Sequence, residues 1–218
     1  MALTKFNFNS FDLTTAAGKG LGFNASANGF STINPGAMTL ISTTTASSSS
    51  TVSITSGIDN TYPIYLFKFI DIHASNDDVH FLFNGSDDTS SHSYDVTKTS
   101  TAFMAYHNES GSDANLAYSA SGDVAQGTGF QNLTTGDTLA DNNDRSLAGY
   151  LRLFNPSSTT FVKHFIAETT VSGASNYNSH AFFAGYFNTT SAITALQFKA
   201  ASGNIDSGTI KLYGIKDS

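Results

Sequence analysis

Residues 193–215 read ITALQFKAASGNIDSGTIKLYGI, and their alternation decides the fold class. Within residues 193–199, Leu196 and Phe198 fall on one side and Gln197 and Lys199 on the other. Within residues 209–215, Ile210 and Leu212 oppose Lys211 and Tyr213. A period of two sends successive side chains to opposite faces of a strand, so each run predicts a strand with one face on a core. The residues between them include Ser202, Gly203, Asn204, Asp206, Ser207 and Gly208. Turn formers between β-branched and aromatic runs predict a β-hairpin with a long connection.

Working back from this end, the most hydrophobic run is YPIYLFKFIDIH at residues 62–73. Tyr62, Ile64, Leu66, Lys68, Ile70 and Ile72 take one face, and Tyr65, Phe67 and Phe69 the other. Two apolar faces predict either a central strand covered on both sides or a strand with one face against another subunit. Lys68 on the crowded face reads as a satisfied lysine near an edge. Further strands are expected at residues 38–43, 51–55, 79–83, 102–106, 115–119, 149–154, 160–167 and 181–187. The Ser/Thr-rich residues 43–50 read as a hairpin loop, and residues 122–144 as a long irregular region. About ten strands without βαβ alternation match a two-sheet sandwich. The expectation is all-β: a single antiparallel β-sandwich of jelly-roll type over residues 37–218, after an extended N-terminal arm over residues 1–36.

Composition agrees. Charged residues are 12% of the 218-residue chain, against roughly 25% in average globular proteins. Ser, Thr, Asn and Gly fill the gap, and Thr suits strand surfaces. The net charge is −7 with ten scattered Lys and Arg, which argues against nucleic acid, whose backbone needs clustered positive charge. No cysteine is present, so there is no disulfide framework and no thiolate metal site. MALTKFNFNS at the start lacks a basic region followed by an apolar run, and no stretch is long enough for a membrane helix. A soluble protein made in the cytoplasm of its producing cell is expected, with no membrane partner. Sequons at Asn24, Asn84, Asn108, Asn132 and Asn188 read as chance in so Ser/Thr-rich a chain.

The C-terminal pattern Ser202-Gly-Asn-Ile, Ser207-Gly, then Leu212-Tyr-Gly-Ile resembles the end of many structural proteins of tailed bacteriophages. Upstream blocks fit the same family: Tyr65-Leu-Phe-Lys-Phe-Ile-Asp-Ile, Val79-His-Phe-Leu-Phe, Tyr94, Gly149-Tyr-Leu-Arg-Leu-Phe-Asn-Pro, Lys163-His-Phe, Gly185-Tyr-Phe and Thr189-Thr-Ser-Ala-Ile. The resemblance spans residues 62–215 and is one of strands and turns, without an active-site motif. It implies a β-sandwich that coats heads or forms appendages, commonly as a trimer, and hence a virion location. Capsid or fibre subunits would be its partners.

Candidate reactive groups do not assemble into a motif. Asp141-Asn-Asn-Asp144 offers oxygens at close spacing but lacks the full calcium loop, and Asp and Asn belong in turns for backbone bonding alone. The histidines, His73, His80, His92, His107, His164 and His180, show no dense ligand spacing. Glu occurs only at Glu109 and Glu168, and no nucleophile elbow or phosphate loop is present. No metal, cofactor or catalytic residue is assigned. Two classes remain. In the first, a non-enzymatic virion protein uses Phe6, Phe8 and Phe11 of the arm, with Tyr62, Ile64 and Leu66, as subunit contacts. In the second, a glycan-recognition module uses Tyr106, Tyr118 and Tyr177 beside Asn-rich loops to hold a host glycan.

Overall fold

The computed structural model describes residues 20–23, 26, 29–33 and 37–216. They form β1 (Gly20–Phe23), β2 (Phe30–Ile33), β3 (Met38–Ser49), β4 (Val52–Ile54), β5 (Ile64–Ala74), β6 (Phe81–Ser86), β7 (Lys98–Asn108), β8 (Ala114–Tyr118), β9 (Val124–Gly127), β10 (Gln131–Asn132), β11 (Leu147–Phe154), β12 (Lys163–Ser172), β13 (Tyr177–Phe187), β14 (Ala195–Ala200) and β15 (Ile205–Ile215). No helix occurs among the described residues, and every strand pairing is antiparallel. The chain divides into two units, Met1–Ala37 with Ser218, and Met38–Asp217.

In the first unit β1 and β2 form a hairpin that sets Phe23 opposite Phe30, their rings stacked 5.2 Å apart. Phe6, Phe8 and Phe11, expected as contact residues, lie outside the described residues.

The second unit is a sandwich. A four-stranded sheet runs β10-β6-β14-β4, and a nine-stranded sheet runs β3-β15-β5-β11-β12-β13-β7-β8, with β9 also on β7. Aromatic rings interdigitate between the two. Phe198 of β14 sits 5.7 Å from Phe67 and 5.3 Å from Phe69 of β5, while Phe83 of β6 sits 5.2 Å from Phe165 of β12. All five are buried, as apolar alternation on facing sheets requires.

The C-terminal strands exist, and Leu196, Phe198, Ile210 and Leu212 are each fully buried, yet β14 and β15 are not a hairpin. β14 pairs with β4 and β6, and β15 with β3 and β5, so the turn at residues 201–204 carries the chain from one sheet to the other. Both strands turn their apolar faces inward either way, so the alternation is the same for a hairpin and a crossover. The Ser/Thr-rich residues 43–49, expected as a loop, instead belong to β3 and pair with β15. Thr tolerates strand geometry, and a paired partner overrides the low-complexity look.

β5 is central, between β15 and β11, with Tyr65, Phe67 and Phe69 inward. Asp71 (φ 52°) breaks its alternation: β11 and β15 both slip register there. That bulge turns Ile72 into the core, fully buried, and not onto the face shared by Ile64, Leu66 and Lys68. Gly208 (φ 122°) answers the bulge from β15; a Cβ there would lie 2.7 Å from the Asp71 carbonyl oxygen.

Nine strands cannot be covered by four. The inner face of β12, β13 and β7 is completed by residues 119–140, which bury Leu133 and Leu139 in the core and bond the sheet through hydroxyls. Ser100 donates to Gln131 Oε1 (2.5 Å), Thr169 to the Leu133 carbonyl (2.5 Å), and Ser179 to the Thr135 carbonyl (2.5 Å). Buried loop backbone needs such partners, which gives the Ser/Thr content an interior role as well as a surface one.

Candidate functional site

The nine-stranded sheet turns its other face away from the four-stranded one. Register alone sets a row across it: Tyr118, Phe103, Phe182, Glu168, Tyr150, Lys68 and Lys211 are successive cross-strand neighbours on β8, β7, β13, β12, β11, β5 and β15. Beside it runs a second row of Ala184, Ile166, Arg152, Leu66 and Tyr213. Cross-strand neighbours on one face stand about 5 Å apart, close enough to interact directly.

The first row changes character along its length. At the β8 end, Phe103 and Phe182 stack with centroids 4.6 Å apart and planes 9° apart, and Phe103 remains 44% exposed. In the middle, the Glu168 carboxylate accepts a hydrogen bond from the Tyr150 hydroxyl and lies 2.8 Å from His180 Nε2. The Tyr150 bond first, and His180 with it, hold the Glu168 carboxyl below its usual range, while Glu168 pushes the Tyr150 phenol up. At the β15 end the row is cationic. Lys68 lies directly opposite Lys211, with its Nζ 5.2 Å from the Tyr213 ring, and the Arg152 guanidinium lies 4.9 Å from the Tyr150 ring. The ion pairs among the described residues are His73–Asp206, Arg145–Glu109 and His180–Glu168, so none of these three cations is paired. A shallow hollow of about 400 Å³ opens on the same face between His164, Ile166, Ala184 and Tyr186.

The expected contact residues on β5 and its approach are partly spent within the chain. Leu66 is 7% exposed, and Ile64 and Tyr62 are half-buried. The Tyr62 ring lies across Gly214, where a Cβ would collide with it, and meets Tyr65 edge-on at 5.8 Å. The expected glycan residues do not converge. Tyr106 and Tyr177 meet edge-on at 5.3 Å, and the Tyr177 hydroxyl donates to Asp113 Oδ2 at 3.0 Å, which raises its pKa. They share the face that carries Ala102 and Ser179, whereas Tyr118 is opposite Phe103 on the other face and donates to Asp123. Asn84, one of the sequons, is fully buried and bonds the Tyr94 and Thr128 carbonyls, so it is closed to glycosylation.

Asp71, Asp144 and Asp206 line a hollow of about 310 Å³ with His73 and Arg145 at the end of the sandwich where β5 finishes. No group of three His, Cys, Asp or Glu among the described residues is placed to hold a metal ion.

Two buried lysines were not legible in the sequence. Lys98 and Lys163 flank Phe187 on neighbouring strands, and all three are fully buried. Lys98 Nζ donates to Asn84 Oδ1 (2.9 Å), the Gly129 carbonyl (2.5 Å) and the Val96 carbonyl (3.3 Å), and burial lowers its pKa to about 8. Lys163 donates to the Thr189 carbonyl at 3.0 Å, and burial lowers it too. Both sit inside the sandwich and tie loops to the core.

Comparison of the chain with protein-family models, with curated proteins and with solved structures finds no match.

Proposed function

We propose that this chain is a non-enzymatic structural subunit of a phage virion. It decorates or cements the head, or builds a fibre or collar, through subunit contacts. The observation that carries this reading is the open face of the nine-stranded sheet. Leu116, Tyr118, Phe103, Ile166 and Ile70 are exposed on it; Tyr118 and Phe103 are cross-strand neighbours, and Phe182 stacks on Phe103. Exposed aromatic surface clustered in this way marks association. The C-terminal resemblance supports the same reading, and with it a homotrimer with capsid or fibre partners is proposed. Mass spectrometry of purified particles, with side-chain footprinting, tests it. The chain is expected in stoichiometric amounts, with Phe103 and Ile166 protected relative to the free protein. Particles that lack the chain overturn the proposal. Recognition of a host glycan is the second reading, favoured by the Tyr106–Tyr177 pair beside Asp113. Binding to a glycan array that is lost in Tyr177→Ala would favour it.

A further inference from the structure

We infer that the open face is a self-contact in which the cationic patch of one copy, Lys68, Lys211 and Arg152, receives the acidic hollow of another, Asp71, Asp144 and Asp206. This rests on the subunit-contact reading above and names the chemistry of the contact. Three observations point to it.

The first is that the patch is uncompensated. Lys68 and Lys211 are direct cross-strand neighbours, and Arg152 lies on the adjoining strand, diagonal to Lys68. Like charges placed opposite one another in a sheet repel. Glu168, the carboxylate on this face that feels the Arg152 charge, is bonded by Tyr150 and His180. The chain has ten Lys and Arg in all. Gathering three of them here with no ion pair to a carboxylate among the described residues leaves a site that an anion would relieve.

The second is that the same chain presents the complementary surface. Asp71, Asp144 and Asp206 line one hollow in a molecule of net charge −7. The one guanidinium there, Arg145, is directed to the Gly173 carbonyl and Asn176. His73 turns its Nε2 to the Asn142 carbonyl at 3.1 Å and its Nδ1 to Asp206 at 3.7 Å. Asp71 and Asp144 enter no ion pair among the described residues, so carboxylates are in excess there, as the cations are on the open face.

The third is the apolar residue between them. Ile70 is 38% exposed and stands on β5 between Lys68 and Asp71, the bulge residue that turns the strand toward the hollow. An apolar centre flanked by opposite charges is the composition of a protein contact. A site for a small anion would need no exposed isoleucine. A second copy supplies carboxylates and an apolar surface together.

The test is the association state of the full chain by analytical ultracentrifugation. Its affinity for itself should weaken at least about tenfold between roughly 20 mM and 0.5 M salt, as screening of surface charge requires. Lys68→Glu with Lys211→Glu should abolish association, and so should Asp144→Lys with Asp206→Lys, both keeping the parental circular dichroism. Mixing the two double variants should restore a complex. A chain that stays monomeric at low salt, or associates with no response to salt or to either variant, overturns the inference. So does a monomer whose Lys68 and Lys211 retain heparin, because the patch then serves an anionic polymer. None of these outcomes bears on whether particles contain the chain, which mass spectrometry decides separately.

Discussion

Lys98 shows how a single residue departs from what its neighbours suggest. In the run Lys98-Thr-Ser-Thr-Ala102, the inward positions are Lys98, Ser100 and Ala102, which look like the polar side of a strand. Only the tertiary structure supplies the oxygens of Asn84, Val96 and Gly129 that make a buried ammonium tolerable. None of the three is a carboxylate, so desolvation prevails and the pKa falls from 10.5 to about 8. The sign of the consequence follows. Between pH 8 and 10.5 the unfolded chain keeps a proton that the folded chain has shed, so stability rises with pH across that window. Below it both states are protonated and the gain is absent. The rise is on the order of 3 kcal/mol. Denaturant unfolding of the parent and of Lys98→Met at several pH values isolates it, because other titrating groups cancel in the difference. The parent should gain on the variant as pH climbs from 8 to 10.5, and parallel pH profiles would show that Lys98 keeps its ordinary pKa. Tyr118 makes the opposite point about legibility: its aromatic nature and loop setting were visible, but its place opposite Phe103, away from Tyr106 and Tyr177, was fixed by strand register.

At the scale of elements, alternation was legible and partnership was not. The inward residues of β14 and β15 followed from period two, and all four are buried. Which strands they pair with depends on contacts far apart in sequence, such as Phe198 with Phe83 and Ile210 with Thr44. The bulge at Asp71 was equally hidden, since one residue of left-handed backbone reverses every later face on β5. Phe198 tests the part that was legible. Its ring lies within 6.4 Å of four others, Phe67, Phe69, Phe81 and Phe83, two from each sheet. Truncating it to alanine leaves a cavity where the sheets meet. Phe198→Ala should therefore lose about 3–5 kcal/mol of unfolding free energy, somewhat more than its area alone because ring pairs add to burial. A variant that unfolds at the parental denaturant midpoint would mean that the two sheets do not meet through this ring.

For the whole molecule, composition predicted a large all-β unit, and the antiparallel sandwich of Met38–Asp217 is that unit. The inequality of its sheets was not legible, because nothing in the spacing of strands tells which sheet each one joins. That inequality leaves part of the larger sheet's inner face beyond the smaller sheet, and residues 119–140 line it with Leu133, Leu139 and hydroxyl bonds. The hydrophobic core among the described residues runs from Ala46 to Leu212, wholly within the second unit. A chain beginning at Met38 should accordingly fold and unfold cooperatively, with a midpoint within a few degrees of the parent. Loss of the cooperative transition would show that the sandwich does not fold without the first unit. The first unit still carries Phe6, Phe8, Phe11, Phe23 and Phe30. Burying such rings is worth roughly 1.5–3 kcal/mol each, so a unit that is dispensable for folding but rich in phenylalanine is suited to contacts outside the sandwich. In the virion reading, the shortened chain should stay folded and fail to enter particles. If it enters them with normal occupancy, the open face alone suffices for assembly and the first unit has another task.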